Sequence, residues 1–293
     1  MSKRSATERS EPSALPLPVR PRLPSPIVDA HTHLDACGAK DAADVAALVD
    51  RAEAAGVAGV VTVGDDLASA QWAAAAATWD PRVWAAVAVH PTRTAAFPDA
   101  DRAVLEELSR QPRVVAVGET GLDYYWDYSP PAAQQEAFRW HIDLAKRVGK
   151  PLMVHDRDAH EDIYRILEEE GPPETVVFHC FSGDAEFARR CVARGYVLSF
   201  AGTVTFRNAR ALRDAVGDVP VYQLLVETDA PFLTPHPYRG RPNEPHGAAY
   251  TIEDIAQLRR VDLGELCAAV NTNAARVFGL TGATRGEFGG HHS

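Results

Sequence analysis

No Cys-x-x-Cys pair occurs among the four cysteines of this 293-residue chain, Cys37, Cys180, Cys191 and Cys267. That spacing argues against a disulfide framework and for buried thiols in a reducing compartment, so a cytoplasmic location is expected. No apolar run approaches the roughly 20 residues needed to span a bilayer, and no membrane partner is expected. The N-terminal stretch lacks the unbroken apolar core of roughly 7–15 residues that a secretory signal needs. Glu8, Glu11 and the many prolines argue against a transit peptide. An excess of positive charge is also missing. The net charge is -10, which excludes broad non-specific attraction to nucleic acid. A nucleic-acid enzyme of this charge needs a local positive patch or bound cations.

What is present is globular: 46% of the residues are hydrophobic and 24% charged. The length permits two domains, but barrels of this size are routinely single. Residues 1–24 are rich in Ser, Pro and charge and bury too little apolar surface to offset their ordering entropy, so they read as a disordered tail. Residues 25–281 read as one folded domain and 282–293 as a frayed end, where His291 and His292 receive no role. A monomer is expected.

Between the tails a pattern repeats eight times. Short β-branched or apolar runs begin at Ile27, Val57, Val83, Val114, Leu152, Val176, Tyr196 and Leu224, and helical stretches separate them. The clearest helix runs from Ala132 to Val148, with Pro130 and Pro131 before it and Gly149 and Pro151 stopping it. Strands that are almost continuously apolar, alternating with helices, predict a parallel sheet covered by helices. Eight units predict an α/β fold of the (β/α)8 TIM-barrel type, with function at the C-terminal ends of the strands. A doubly wound open sheet is the runner-up and would offer one crevice instead of a ring of sites.

The strand ends carry the chemistry. The first ends in Asp29-Ala30-His31-Thr32-His33, where alternation sends both imidazoles the same way. The third ends at His90, the fourth at Glu119, the fifth at His155, the sixth at His179 and the eighth at Asp229. Coincidence or core packing could account for one such histidine, not for all of them. His141, His160, His236 and His246 lie elsewhere and read as packing or solvent-exposed residues. Cys180 follows His179 and should face away from it. Six ligands, His31, His33, Glu119, His155, His179 and Asp229, are too many for one four-coordinate ion with an open position. They suit two divalent ions, Mg, Mn or Zn, with His31, His33 and Asp229 on one, His155 and His179 on the other, and Glu119 bridging. Such a pair can activate a water, polarise a phosphoryl or carbonyl oxygen and steady the leaving oxygen. Asp229, beside metal and water, can act as general base.

These stretches resemble the TatD family of metal-dependent deoxyribonucleases. The likeness includes Val-His90-Pro, Gly-Glu119-Thr-Gly-Leu-Asp123-Tyr124, Val-His155-Asp-Arg157, Phe-His179-Cys-Phe-Ser-Gly, Glu-Thr-Asp229-Ala-Pro and Tyr238-Arg-Gly-Arg-Pro-Asn243-Glu244-Pro, and covers about residues 26–281. The resemblance implies a barrel, two divalent metals at these six positions, and hydrolysis of DNA phosphodiesters at strand ends, in the 3′ to 5′ direction. It sets His90 on the substrate side. The chain departs from many relatives in having Thr92 where they carry a second histidine after the proline.

The residues themselves also favour a phosphate substrate. Arg157, Arg207, Arg239 and Arg241 fall in segments after strands five, seven and eight, and guanidinium suits bidentate phosphate binding. The loop Tyr124-Tyr125-Trp126-Asp127-Tyr128 can stack a terminal base or cap the barrel mouth, with Tyr124 assigned to stacking and Trp126 to capping. Two other readings compete: a barrel amidohydrolase or esterase acting on a small molecule, and a metal-bound binding protein without turnover.

Overall fold

The structure is a computed structural model that describes residues 15–280. Eight strands, β1 (Ile27–Thr32), β2 (Val57–Gly64), β3 (Val83–Val87), β4 (Val114–Asp123), β5 (Leu152–Arg157), β6 (Val176–Phe178), β7 (Val197–Phe200) and β8 (Leu224–Val226), pair in parallel in sequence order. Helices α1 (Ala42–Ala54), α2 (Leu67–Ala76), α3 (Asp99–Ser109), α4 (Pro131–Val148), α5 (His160–Glu170), α6 (Ala185–Ala193) and α7 (Arg210–Asp218) connect them. The helices α8 (Ala248–Arg259) and α9 (Leu263–Phe278) complete the ring. This is the expected (β/α)8 barrel, not an open sheet. It closes where Thr32 bridges Ala230, where Asp229 N–H donates to His31 O (2.9 Å), and where His33 N–H donates to Ala230 O (2.8 Å). The fourth strand is longer than the apolar run Val114–Val117 suggests, because it continues through the polar residues up to Asp123.

Apart from β4, where a register irregularity puts both Val115 and Ala116 inside, two apolar clusters divide the strand residues by parity. Val28, Ala30, Val61, Ala116, Met153, Val177 and Leu225 fill the barrel interior. Ile27, Val60, Val117, Val154, Phe178 and Val226 face the helices. By plain alternation, Met153, Val177 and Leu225 put His155, His179 and Glu227 on the interior side. The same count from Val28 and Ala30 would send His31 and His33 outward, and from Ala116 would send Glu119 outward. Register irregularities between Asp29 and Thr32 on β1, and between Val117 and Thr120 on β4, reverse the parity at those two places. Beyond the second, Thr120 faces α4, where its Oγ1 lies 3.1 Å from His141 Nδ1.

Residues 15–24, which composition assigns to a disordered tail, pack on the barrel. Leu17 and Leu23 are buried. His246 Nε2 donates to Leu17 O (3.1 Å), Tyr250 Oη to Pro18 O (2.9 Å) and Leu23 N–H to Ala55 O (3.0 Å), and Arg20 pairs with Glu253. Two leucines are too few to register in composition. The prolines Pro16, Pro18, Pro21 and Pro24 already restrict the unfolded chain, so ordering it costs less. Residues 1–14 and the tail from residue 282 lie outside the described residues. Replacing Leu17 by Ala should cost about 2 kcal/mol or more and lower the melting temperature by about 4 °C or more. An unchanged melting temperature in thermal denaturation would show that this strap contributes nothing.

Candidate metal centre

All six residues expected as ligands meet at the C-terminal end of the barrel. His31 Nε2 and His33 Nε2 are 3.2 Å apart, and Asp229 Oδ1 lies 3.7 and 3.5 Å from them. His155 Nδ1 and His179 Nε2 are 3.3 Å apart. Glu119, buried between these groups, splits its two oxygens. Oε1 is 3.5 Å from both His31 Nε2 and His33 Nε2, whereas Oε2 is 3.1 Å from His155 Nδ1 and 2.8 Å from His179 Nε2. The close approach of β4 to β5 depends on Gly121. At its φ of +138°, a Cβ would lie 2.1 Å from His155 O.

The nitrogens that turn away from the centre have partners of their own. His33 Nδ1–H donates to Val63 O (2.9 Å), His155 Nε2–H to Asp123 Oδ2 (3.0 Å) and His179 Nδ1–H to Glu227 Oε1 (3.3 Å), while His31 Nδ1 sits 3.1 Å from Met153 Sδ. Because a carbonyl only accepts, the His33 proton belongs on Nδ1 and the Nε2 lone pair points inward. The donor set therefore fits divalent cations. Its imidazole lone pairs and carboxylates converge, and the candidate ligand atoms within each of the groups His31–His33–Asp229 and Glu119–His155–His179 lie within 4.8 Å of one another. Glu227 Oε2 is also buried without a hydrogen-bond partner among the described residues. The local field is strongly negative. Burial lowers the pKa of His33, but Asp229 and Glu119 outweigh it and raise it to about 9. Burial likewise works against charge on His179, yet Glu119 and Glu227 hold its pKa well above the usual range. A proton or a metal ion can serve as the countercharge, so the two compete.

His90 stands beside this cluster with a different tautomer. Thr92 N–H donates to His90 Nδ1 (3.2 Å), so the ring proton sits on Nε2, which lies 3.3 Å from His155 Nδ1 and 3.7 Å from Glu119 Oε2. Burial and the neighbouring His155 hold its pKa down at about 3. His90 is thus a neutral N–H donor at the cavity wall, oriented by Thr92.

The cavity above the cluster measures about 640 Å³, and Arg157, Trp126, Tyr128 and Phe232 form part of its wall. Other expected substrate residues stand elsewhere. Tyr124, one position beyond Asp123, falls on the helix side, where its hydroxyl donates to Asp162 Oδ2 (2.7 Å). It is not among the cavity-wall residues, and neither are Arg207 and Arg239. Both arginines are exposed, and Arg239 stacks on Phe206 with its guanidinium 4.0 Å from the ring centre. Arg241 is drawn toward the strap, donating to Pro16 O (3.4 Å). Cys180, expected to face away, does line the cavity. The strand β6 has ended at Phe178, and at a φ of +41° the chain no longer alternates. Burial and the nearby Asp229 and Glu227 push its thiol well above the usual range, which makes it a poor ligand. His141 and His246 are packed inside, as expected.

Sequence reasoning missed Glu227, Asp123 and Arg93. The first two carried a signal. Asp123 stands four residues after Glu119 on one strand, and Glu227 two before Asp229, so each shares a face with a ligand candidate. Arg93, which also lines the cavity, follows His90-Pro91-Thr92 in a short 3-10 turn and carried none.

A parallel barrel with imidazoles and carboxylates gathered at its C-terminal face defines a metal-dependent hydrolase. The chain belongs to the TatD-related DNase family, whose model matches residues 28–279. It is 58% identical over 259 residues to an uncharacterized metal-dependent hydrolase TatD of Mycobacterium tuberculosis, covering 87% of this chain and 98% of that protein. It is 37% identical over 250 residues to the 3'-5' ssDNA/RNA exonuclease TatD of Escherichia fergusonii, covering 83% and 95%. Among solved structures it is similar to YJJV, a TatD homologue from Escherichia coli, with a TM-score of 0.81, 32% identity, and coverage of 86% of this chain and 98% of that one.

The carboxylates behind the imidazoles should matter almost as much as the centre itself. Glu227→Gln and Asp123→Asn keep the shape but remove the charge that polarises His179 and His155. Each should weaken metal affinity about 10–100-fold, measured by titration of the metal-free protein. Affinity equal to wild type would mean that these contacts do not tune the centre.

Proposed function

We propose that this chain is a 3′–5′ exonuclease that hydrolyses phosphodiester bonds at the ends of single-stranded DNA, using two divalent ions bridged by Glu119. The observation that carries this reading is the split of the Glu119 carboxylate between two histidine groups. One oxygen faces His31 and His33, which Asp229 also approaches, and the other faces His155 and His179. Relatives named as ssDNA/RNA exonucleases, at 37% and 35% identity, support the substrate class. When bound, such ions supply a lowered pKa for water and a polarised phosphoryl oxygen.

The rest of the chemistry falls to the chain's own groups. Asp229, buried except for an edge of its carboxylate, is held below the usual carboxylate range: burial opposes this, but His33 and His31 prevail. It stays ionised and takes the proton of the attacking water. The water oxygen forms the new bond to phosphorus as the P–O3′ bond breaks, and the departing O3′ takes up a proton from solvent to become a hydroxyl. His90 Nε2–H, already neutral and oriented, donates to a phosphate oxygen. Arg157, two residues beyond His155 on the same face, binds the phosphate beside that histidine. The products are a 5′-mononucleotide and a strand shortened by one residue with a free 3′ hydroxyl. The free thiols Cys37, Cys180, Cys191 and Cys267 suit action in a reducing cytoplasm.

Glu119→Gln is nearly isosteric but no longer offers charge to both groups. It should lower turnover of a labelled single-stranded oligonucleotide by more than about 100-fold, beyond the usual loss at supporting residues. The bound metal, measured by mass spectrometry of the dialysed protein, should fall from two ions per chain to one or none. Products should shorten one nucleotide at a time from the 3′ end. Efficient hydrolysis of a small amide or ester, with no oligonucleotide cleaved under Mg²⁺, Mn²⁺ or Zn²⁺, would replace this reading with that of an amidohydrolase.

A further inference from the structure

Three aromatic rings stand exposed on the segment between β4 and α4: Tyr125 (56%), Trp126 (41%) and Tyr128 (65%). They form one assembly. Trp126 and Tyr128 are parallel within 12° at a centroid spacing of 5.4 Å, and Tyr125 meets Trp126 edge-on at 4.8 Å. The segment is anchored. Asp123 Oδ1 accepts from both Tyr125 N–H and Trp126 N–H (3.0 Å each). Gln134 Nε2 donates to Asp123 O and Ser129 O. The rings are therefore held open to solvent by polar contacts at their base, at the rim of the cavity that contains Glu119 and Asp229.

Two guanidinium groups flank this ladder. Arg157 lies over Tyr125 at 3.9 Å and reaches Trp126 at 5.7 Å, and no carboxylate pairs with it among the described residues. Arg93, on the β3 side, is exposed and likewise has no carboxylate partner among the described residues. Many other surface arginines are paired, as Arg165 is with Asp162 and Glu169, and Arg189 with Asp218, whereas Arg207 and Arg239, without a carboxylate partner among the described residues, do not line the cavity. The cavity floor is acidic, so a polyanion can be retained at the mouth only where positive charge stands free.

We propose that the arc of the mouth between β3 and β5 is a nucleotide-binding subsite for single-stranded nucleic acid, in which bases stack on Trp126 and Tyr128 while Arg93 and Arg157 hold the phosphates on either side. This inference rests on the phosphodiester reading of the centre. Exposed rings with a guanidinium group on the β3 side and another on the β5 side match bases and the phosphates that join them, and stacking on a ring tolerates any base. A duplex hides its base faces, so the subsite selects for an unpaired end. Asp123 links the two sites, since one of its oxygens anchors the ladder and the other holds His155. Arg93 becomes a substrate residue, and the stacking role expected of Tyr124 passes to its neighbours.

The test compares the metal-loaded wild type with Arg93→Ala, Trp126→Ala and Trp126→Phe on a short single strand, and on the same strand made abasic at its last positions. Trp126→Ala should lower kcat/KM on the intact strand about ten-fold, mainly through KM, with Trp126→Phe restoring most of it. On the abasic strand the loss should disappear. Arg93→Ala should weaken both substrates and make the slope of log kcat/KM against log salt shallower by about 0.7, the share of one phosphate on a single strand. Trp126→Ala indistinguishable from wild type on the intact strand, or equally impaired on the abasic one, overturns the stacking platform. An unchanged salt slope in Arg93→Ala overturns its phosphate contact. A wild type that cleaves no oligonucleotide overturns the functional reading instead, and the subsite is then judged by binding. Saturable quenching of the fluorescence that Trp126→Phe removes supports it, and no such quenching overturns it.

Discussion

Glu119 is a carboxylate buried among five imidazoles, and the architecture around it follows from the need to neutralise that charge. An isolated carboxylate at this depth would be protonated or expelled. Here burial raises its pKa, but His179, His90 and His31 outweigh it and hold it well below the usual range. The imidazoles in turn rest on Asp123, Glu227 and the Val63 carbonyl, so the negative charge is spread outward through hydrogen bonds instead of being confined to one residue. The result is a compact region of excess negative charge that asks for cations.

Bringing those groups together depends on the barrel closing. Asp29, fully buried, accepts from Thr228 N–H (2.8 Å) and Thr228 Oγ1 (2.6 Å), which ties β1 to the segment after β8. Asn243 Nδ2 then donates to Thr228 O and Phe232 O, tying the long segment before α8 to the same seam. The strap of residues 15–24 rests on the outer side of that segment through His246 and Tyr250. The backbone of Asp229, at a φ of +53°, is held on both sides, donating from its N–H to His31 O and accepting at its carbonyl from Phe232 N–H.

On the proposed reading, an acidic protein acts on a polyanion and must separate its charges. Net charge of -10 keeps nucleic acid from adhering at random. Many surface arginines are neutralised by carboxylates one turn away or on an adjacent helix, and such pairs add little to stability. Among the described residues, Arg93 and Arg157 stand at the mouth without a carboxylate partner and next to an acidic floor, so on the proposed reading a strand end meets positive charge beside the metal centre.

The alternation of apolar runs and helices determined the barrel, because a parallel strand covered on both faces has to be apolar nearly throughout. The same pattern located the C-terminal strand ends, and with them His31, His33, Glu119, His155, His179 and Asp229. Three of these needed more than a pattern. On β1 and β4 the interior parity set by Val28 and Ala116 would have turned His31, His33 and Glu119 toward the helices, and an irregularity of register reversed it on each strand. Such a slip depends on pairing with neighbouring strands and leaves no mark in local composition. The same holds for Tyr124, placed outside by the continuation of β4, and for Cys180, placed inside by a turn in the backbone. Leu17 and Leu23 are another instance: two apolar residues in a proline-rich stretch look unstructured until a surface is there to bury them. The sequence by itself determined the kinds of side chain and the strand ends that carry them. Only tertiary structure decided which way each one faces, because facing is a property of strand register and barrel closure, which no single strand contains.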